Sequence, residues 1–166
     1  MTERIDRQAI YRLQPAIAGN LRALSEATSA AGLDKKLLEL VKLRASQLNG
    51  CAFCLNMHGV DARKLGEDQR RLDVLSAWRE TSCFTERERA ALAWTEALTL
   101  LSQTRVSDEV YAMAKAPFSD EDFVNLTAAI VAINGWNRVA VGFGFVPPAT
   151  AAADRDDLHQ NRRNVS

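Results

Sequence analysis

The chain has 166 residues, enough for one domain with a real core, and its 47% hydrophobic and 25% charged content is that of an ordinary globular protein. Lys+Arg and Asp+Glu both number 21, so the formal net charge is zero, and the lack of a basic stripe argues against nucleic acid as the main partner. The opening run MTERIDRQAI is charged and has no long apolar stretch, so neither a signal peptide nor a membrane span is expected there, and the cytoplasm is the expected compartment.

In chain order the pattern is helix after helix. Residues 5–14 carry Ile5, Ile10, Tyr11 and Leu13 as a short amphipathic piece. Pro15 suits a helix start, and Ile17, Leu21, Leu24 and Ala27 follow at helical spacing up to Gly32. Asp34 can cap the next helix, with Leu37, Leu38, Val41, Leu43, Ala45 and Leu48. Asn49-Gly50 stops it, and another helix is expected from about Cys51 to Leu65, closed by Gly66. Residues 69–79 form a short helix with Leu72, Leu75 and Trp78. Thr85-x-x-Glu88 reads as a capping box opening RERAALAWTEALTLL. Ser107 starts a further short helix, and Ser119-Asp-Glu-Asp is an acidic start for the last long one, ended by Gly142, Gly144, Pro147 and Pro148. No stretch alternates with period two. One all-α domain over residues 1–150 is therefore expected, followed by a polar tail over 151–166 that contains His159.

Two helices are apolar on more than one face, around residues 90–101 and 123–133. A helix apolar all round must be buried on all sides, and few helices of so small a domain can be central. Part of that surface is expected to meet another subunit, which an aspartate at Ile130 would disturb unless that position is internal core; the alternative is a fully central core helix.

The chemistry concentrates in Glu39–Gly66. Cys51, Cys54 and His58 read C-x-x-C-x-x-x-H, and on a helix the three side chains fall within roughly 60° on one face. Two thiols one turn apart can form a disulfide, and the imidazole can take or give a proton. Glu39 could orient that imidazole if its helix folds back against the cysteine helix, which the Asn49-Gly50 turn permits. The resulting thiolate would attack a peroxide O–O bond, the second thiol would condense with the sulfenic acid, and an external dithiol would reset the pair. Either thiol can be the attacking one. Cys54 lies one turn from His58, whereas Cys51 has the helix N-terminus and the expected exposure for exchange with a reductant.

The run E-L-V-K-L-R-A-S-x-x-N-G-C-x-x-C-x-x-x-H, with TERERAALAWTEALT and NRVAVGF further on, resembles the AhpD-like alkylhydroperoxidases of the carboxymuconolactone decarboxylase family over roughly residues 13–146. The resemblance implies an all-α AhpD-like fold with the C-x-x-C at a helix N-terminus, and a homo-oligomer, here a trimer or hexamer. It also implies reduction of hydroperoxides by Cys51, Cys54, His58 and Glu39, with a dithiol or thioredoxin-like partner and no cofactor or metal. One departure is the Phe53 that stands where the best-known peroxidases of the family carry a histidine. The decarboxylase branch lacks paired cysteines, so lactone decarboxylation is not expected.

Other readings weigh against these. The same four residues could hold zinc, although structural zinc usually draws its second ligand pair from a separate segment. A redox sensor without turnover would need only the thiol pair. Cys83, with no partner at motif spacing, is expected to be a small buried residue, Lys42 and Arg44 to be surface charges, and Trp94, Trp136 and Phe53 to be core. Asn134, Asn137 and Arg138 could line a site or cap contacts.

Overall fold

The structure, a computed structural model, describes residues 4–148 and builds them from eight α-helices with no strand. These are α1 (Arg7–Leu13), α2 (Pro15–Ala30), α3 (Lys35–Leu48), α4 (Ala52–Lys64), α5 (Gln69–Val74), α6 (Glu86–Thr99), α7 (Asp108–Lys115) and α8 (Asp120–Phe143), with a 3-10 segment, Leu75–Glu80, after α5. The expected tail and His159 lie outside the described residues. No helix among the described residues is long and apolar enough to cross a membrane.

The helix starts are set by short polar side chains that accept hydrogen bonds from otherwise unpaired N–H groups. Asp6 caps α1, Asp34 caps α3, Asp68 caps α5, Ser107 caps α7 and Ser119 caps α8, while Thr85 and Glu88 form a complete capping box on α6. The helix that organises the rest is α3, which packs against α4, α6 and α8. One face places Leu37, Leu38 and Val41 with Trp94, Phe118, Phe123, Leu126 and Ile130. The opposite face places Leu40 and Leu43 with Leu75, Trp78, Phe84 and Leu92. Because Leu40 is fully buried between these layers, truncating it to alanine would cost about 2–5 kcal/mol.

The two helices expected to be apolar all round are only partly so in their surroundings. In α8, Phe123, Leu126, Ile130 and Ile133 are core, whereas Val124 is 66% and Val131 56% exposed. Ile130 therefore belongs to the interior and not to a subunit surface, because α3 and α6 already cover it. In α6, Leu92 and Trp94 are buried and Ala90, Ala97 and Leu98 pack partly against the core.

Candidate redox site

The site begins with the chain reversal between α3 and α4. Gly50 has φ +64°, the left-handed conformation that closes helices. The Cys51 N–H then reaches back to the Ser46 carbonyl at 3.0 Å and the Gly50 N–H to Gln47 at 3.3 Å. This paired closure satisfies the end of α3 and delivers Cys51 as the N-cap of α4, where its sulfur accepts from the Cys54 N–H at 3.3 Å. The two sulfurs are bonded, with Cα atoms 5.4 Å apart, as one helical turn allows.

The reversal also folds α4 back along α3, so that Glu39, eleven residues before Gly50, meets His58, eight residues after it. The His58 Nδ1 lies 2.8 Å from Glu39 Oε2, and both residues are buried. The second oxygen of Glu39 accepts from Lys42 Nζ at 2.7 Å. Burial alone would raise the Glu39 carboxyl, yet the hydrogen bond and charge of His58, together with the Lys42 ammonium, hold it below its ordinary value. A buried carboxylate is thus kept ionised beside the imidazole. Lys42 is accordingly not the surface charge expected. It is pulled in by Glu39, and Arg44 is likewise drawn in by Glu96, which also accepts from Trp78 Nε1 and Arg79.

Cys54 and His58, one turn apart on α4, line a cavity of about 250 Å³ between α1, α2, α4 and α8, with Lys42 of α3 also in its wall. Phe53, Trp136 and Phe145 line it as well, so Phe53 and Trp136 differ from the core role expected, whereas Trp94 packs in the core against Phe123 and Tyr111. The reason is the end of α8. Gly144, at φ +70°, lets the Phe145 N–H return to Ala140 at 2.8 Å, and this turns the Phe145 ring edge-on to Phe53 with centroids 5.7 Å apart. Trp136 is fixed by its Nε1–H donating to Ser25 Oγ at 3.1 Å.

Two expectations about the cysteines need correction. Cys51 is not the more exposed thiol: both are 2% exposed, because Ala140 of α8 with Phe53 and Phe145 packs over the pair. Cys83 is not buried but exposed and free, because the loop before α6 turns Phe84 into the core and leaves Cys83 outside.

A polar spine that the motif did not reveal holds the reversal in place. The Asn49 amide donates to Asn134 Oδ1 at 3.0 Å and Asn137 Oδ1 at 2.9 Å. Asn137 donates to Ser46 Oγ, Asn134 to Thr99 Oγ1, and Arg138 to Asn134 Oδ1. Asn134 and Asn137 therefore pin the end of α3, where the reversal begins, to α8, and Arg138 braces Asn134 from the next turn. The signal in the sequence was Asn134 and Asn137, three apart and followed by Arg138, in the apolar second half of the helix. Asn137→Ala would remove one of the two acceptors of the Asn49 amide and the donor to the fully buried Ser46 hydroxyl, which keeps its own bond to the Lys42 carbonyl. It is expected to lower stability by about 1–3 kcal/mol, read as an earlier urea midpoint with an unchanged slope.

A metal at Glu39 is the one competing use of these groups. Glu39, His58 and Asp61 offer ligand atoms within 4.8 Å of one another. Both Glu39 oxygens are already committed, to His58 and Lys42, and Asp61 pairs with Lys64 at 3.2 Å. The cysteine sulfurs belong to each other. The donor set reads as an ion-pair network rather than a closed metal shell.

Fold and site together define an all-α protein whose paired-cysteine helix is backed by a buried histidine–glutamate couple. The chain belongs to the carboxymuconolactone decarboxylase family, whose family model matches residues 15–97, and within it to the AhpD-like proteins. It is 37% identical over 138 residues to the uncharacterized protein YdfG of Bacillus subtilis, covering 83% of this chain and 94% of that one. A crystal structure from Agrobacterium tumefaciens, of a protein of unknown function that is a candidate AhpD antioxidant defence protein, superposes with a TM-score of 0.83 at 39% identity, covering 90% of this chain and all of the other. An uncharacterized peroxidase-related protein from Silicibacter sp. TM1040 shares the fold at a TM-score of 0.70 and 23% identity, covering 79% of this chain and 70% of its own.

Proposed function

We propose that this protein is a thiol-dependent peroxidase that reduces organic hydroperoxides through Cys54 and Cys51 and is reset by an external dithiol or thioredoxin-like reductant. The observation that carries the reading is the buried Glu39–His58 contact of 2.8 Å, one helical turn from a cysteine that lines a cavity. In the reduced protein, His58 takes the proton of Cys54 while the Glu39 carboxylate holds the ring and balances its charge. The Cys54 thiolate attacks the terminal peroxide oxygen, the O–O bond breaks, and the alkoxide leaves as the alcohol with the proton returned by His58. The Cys51 thiol then attacks the sulfenic sulfur, water leaves, and the disulfide forms. The external dithiol exchanges with that disulfide and becomes a disulfide itself, so one dithiol and one hydroperoxide yield one disulfide, one alcohol and one water.

Cys54 is assigned the attacking role because it lines the cavity beside His58. The Cys51 sulfur accepts from the Cys54 N–H and Cys51 is not among the residues that line the cavity, which leaves it the resolving role. The test is peroxide consumption at steady state across a panel of reductants, including dihydrolipoamide and thioredoxin. Turnover with none of them would leave only stoichiometric disulfide exchange, as in a redox sensor.

The exposed valines of α8 support assembly of several copies, with a trimer or hexamer as the favoured form. Val124 and Val131 lie two turns apart on one face, which leaves an apolar stripe on the outside of the subunit. Val131→Asp is expected to reduce the subunit number seen by light scattering while the helical content stays the same. A wild-type chain that is monomeric at micromolar concentration would remove this part of the reading.

A further inference from the structure

The cavity beside Cys54 carries a charge pattern that peroxide chemistry does not itself require. Much of its wall is apolar, with Phe53, Val60, Ile133, Trp136 and Phe145 among its lining residues. Its charged lining residues are Arg7, Arg22 and Lys42, in addition to His58, and no Asp or Glu lines it among the described residues. Lys42 is committed to Glu39, and the Arg7 guanidinium lies 5.3 Å from the centre of the Phe53 ring. Arg22, half-buried on α2, has no ion pair or hydrogen bond among the described residues. Both arginines act on one phenol: burial pushes the Tyr11 hydroxyl pKa up, and the charges of Arg7 and Arg22 pull it back. The two guanidiniums and Tyr11 thus form a cationic, hydrogen-bonding end to an apolar chamber. Partly desolvated cations of this kind favour an anion, above all a carboxylate that a guanidinium can grip with two N–H groups.

We propose that the cavity takes a carboxylate-bearing hydroperoxide of medium chain length or with one aromatic ring, its apolar body against Ile133, Trp136 and Phe145 and its carboxylate on Arg22 and Arg7. The hydroperoxide half of this statement rests on the peroxidase reading, and the carboxylate half on the cavity alone. At about 30 Å³ per water-sized group, the cavity holds on the order of eight such groups, which suits the eight-carbon chain of octanoate with its carboxylate at the cationic end. The carboxylate takes no part in the chemistry. The O–O bond breaks at Cys54 as above, and the products are the hydroxy acid and water.

Binding and turnover are measured separately on the full chain. In the oxidised protein, calorimetric titration with octanoate and with 1-octanol reads the preference for the anion with no peroxide present. Octanoate is expected to bind about tenfold more tightly than 1-octanol, the effect of one charge-assisted contact. Arg22→Gln is expected to bring the two affinities together, and Arg22→Lys to keep most of the difference. In the reduced protein, the ratio of kcat/KM for a hydroperoxy acid to that for its methyl ester is expected to fall by a similar factor in Arg22→Gln. Equal binding of octanoate and 1-octanol, or a preference that survives Arg22→Gln, would overturn the proposed carboxylate site. Turnover of tert-butyl hydroperoxide with no octanoate preference would remove this site and leave the peroxidase. Arg22-dependent octanoate binding with no turnover of any hydroperoxide would sustain the carboxylate site and remove the peroxidase reading.

Discussion

Cys54→Ser is expected to abolish dithiol-dependent hydroperoxide reduction, because a serine hydroxyl at the cavity wall supplies no nucleophile strong enough for the O–O bond. Cys51→Ser is expected to abolish turnover as well, but for a different reason. Cys54 would still be oxidised, and its sulfenic acid would persist for want of the resolving thiol one turn away. Mass spectrometry of peroxide-treated protein separates the two: a sulfenic acid trapped on Cys54 in Cys51→Ser, and none on Cys51 in Cys54→Ser. In the wild type the same treatment should yield a Cys51–Cys54 bridge within one subunit and leave the exposed Cys83 free. Trapping on Cys51 instead would reverse the assignment of the attacking thiol, and full activity in both serine variants would end the mechanism.

Glu39→Gln is the second large expected effect. The change keeps the side-chain shape and removes the charge that faces His58 at 2.8 Å. Peroxide reduction is expected to fall by about 10²–10⁴-fold, the range for a positioned acid–base group, with the fold retained. Glu39 is a positioning residue, acting on Cys54 only through His58, so the loss should lie in the reaction of the thiolate with peroxide. Exchange of the preformed disulfide with a dithiol should change far less. Unchanged peroxide kinetics would make Glu39 a structural carboxylate. The same variant reports on stability. The Glu39 carboxyl is held below its ordinary value of 4.5, so its ionised form is favoured in the folded chain. A group depressed in this way stabilises the fold fully above the unfolded value and loses that contribution as pH falls through the folded one. The stability difference between wild type and Glu39→Gln should therefore be present at neutral pH and shrink on acidification below about 4.5. Urea titrations at several pH values measure it.

Much of the fold was legible because the signals that carry it are local. Asp34, Thr85 with Glu88, and Ser119 start helices by satisfying N–H groups within three residues, and Gly50, Gly66 and Gly144 end them through a conformation other residues avoid. The thiol pair and its histidine were legible for the same reason, since one helix places offsets of three and four residues on one face. Even the meeting of Glu39 with His58 followed from a single turn, because the reversal at Gly50 leaves two adjoining helices little choice but to run back along each other.

What the sequence by itself determined about this protein, then, is the run of helices and the place of the paired cysteines at the start of one of them. Only the tertiary structure decided which surfaces are inside. Burial depends on what other elements bring to a position. Cys51 is sealed by Ala140 and Phe145 from the far end of the described chain, Cys83 is left outside because Phe84 fills the core, and Ile130 is enclosed by α3 and α6 while Val131 beside it is bare. Lys42 and Arg44 leave the surface for carboxylates, and a charged side chain has no local signature of the partner that will draw it in. The cavity, too, exists only where α1, α2, α4 and α8 converge, with Arg22 and Cys54 lining one chamber although thirty-two residues separate them in the chain.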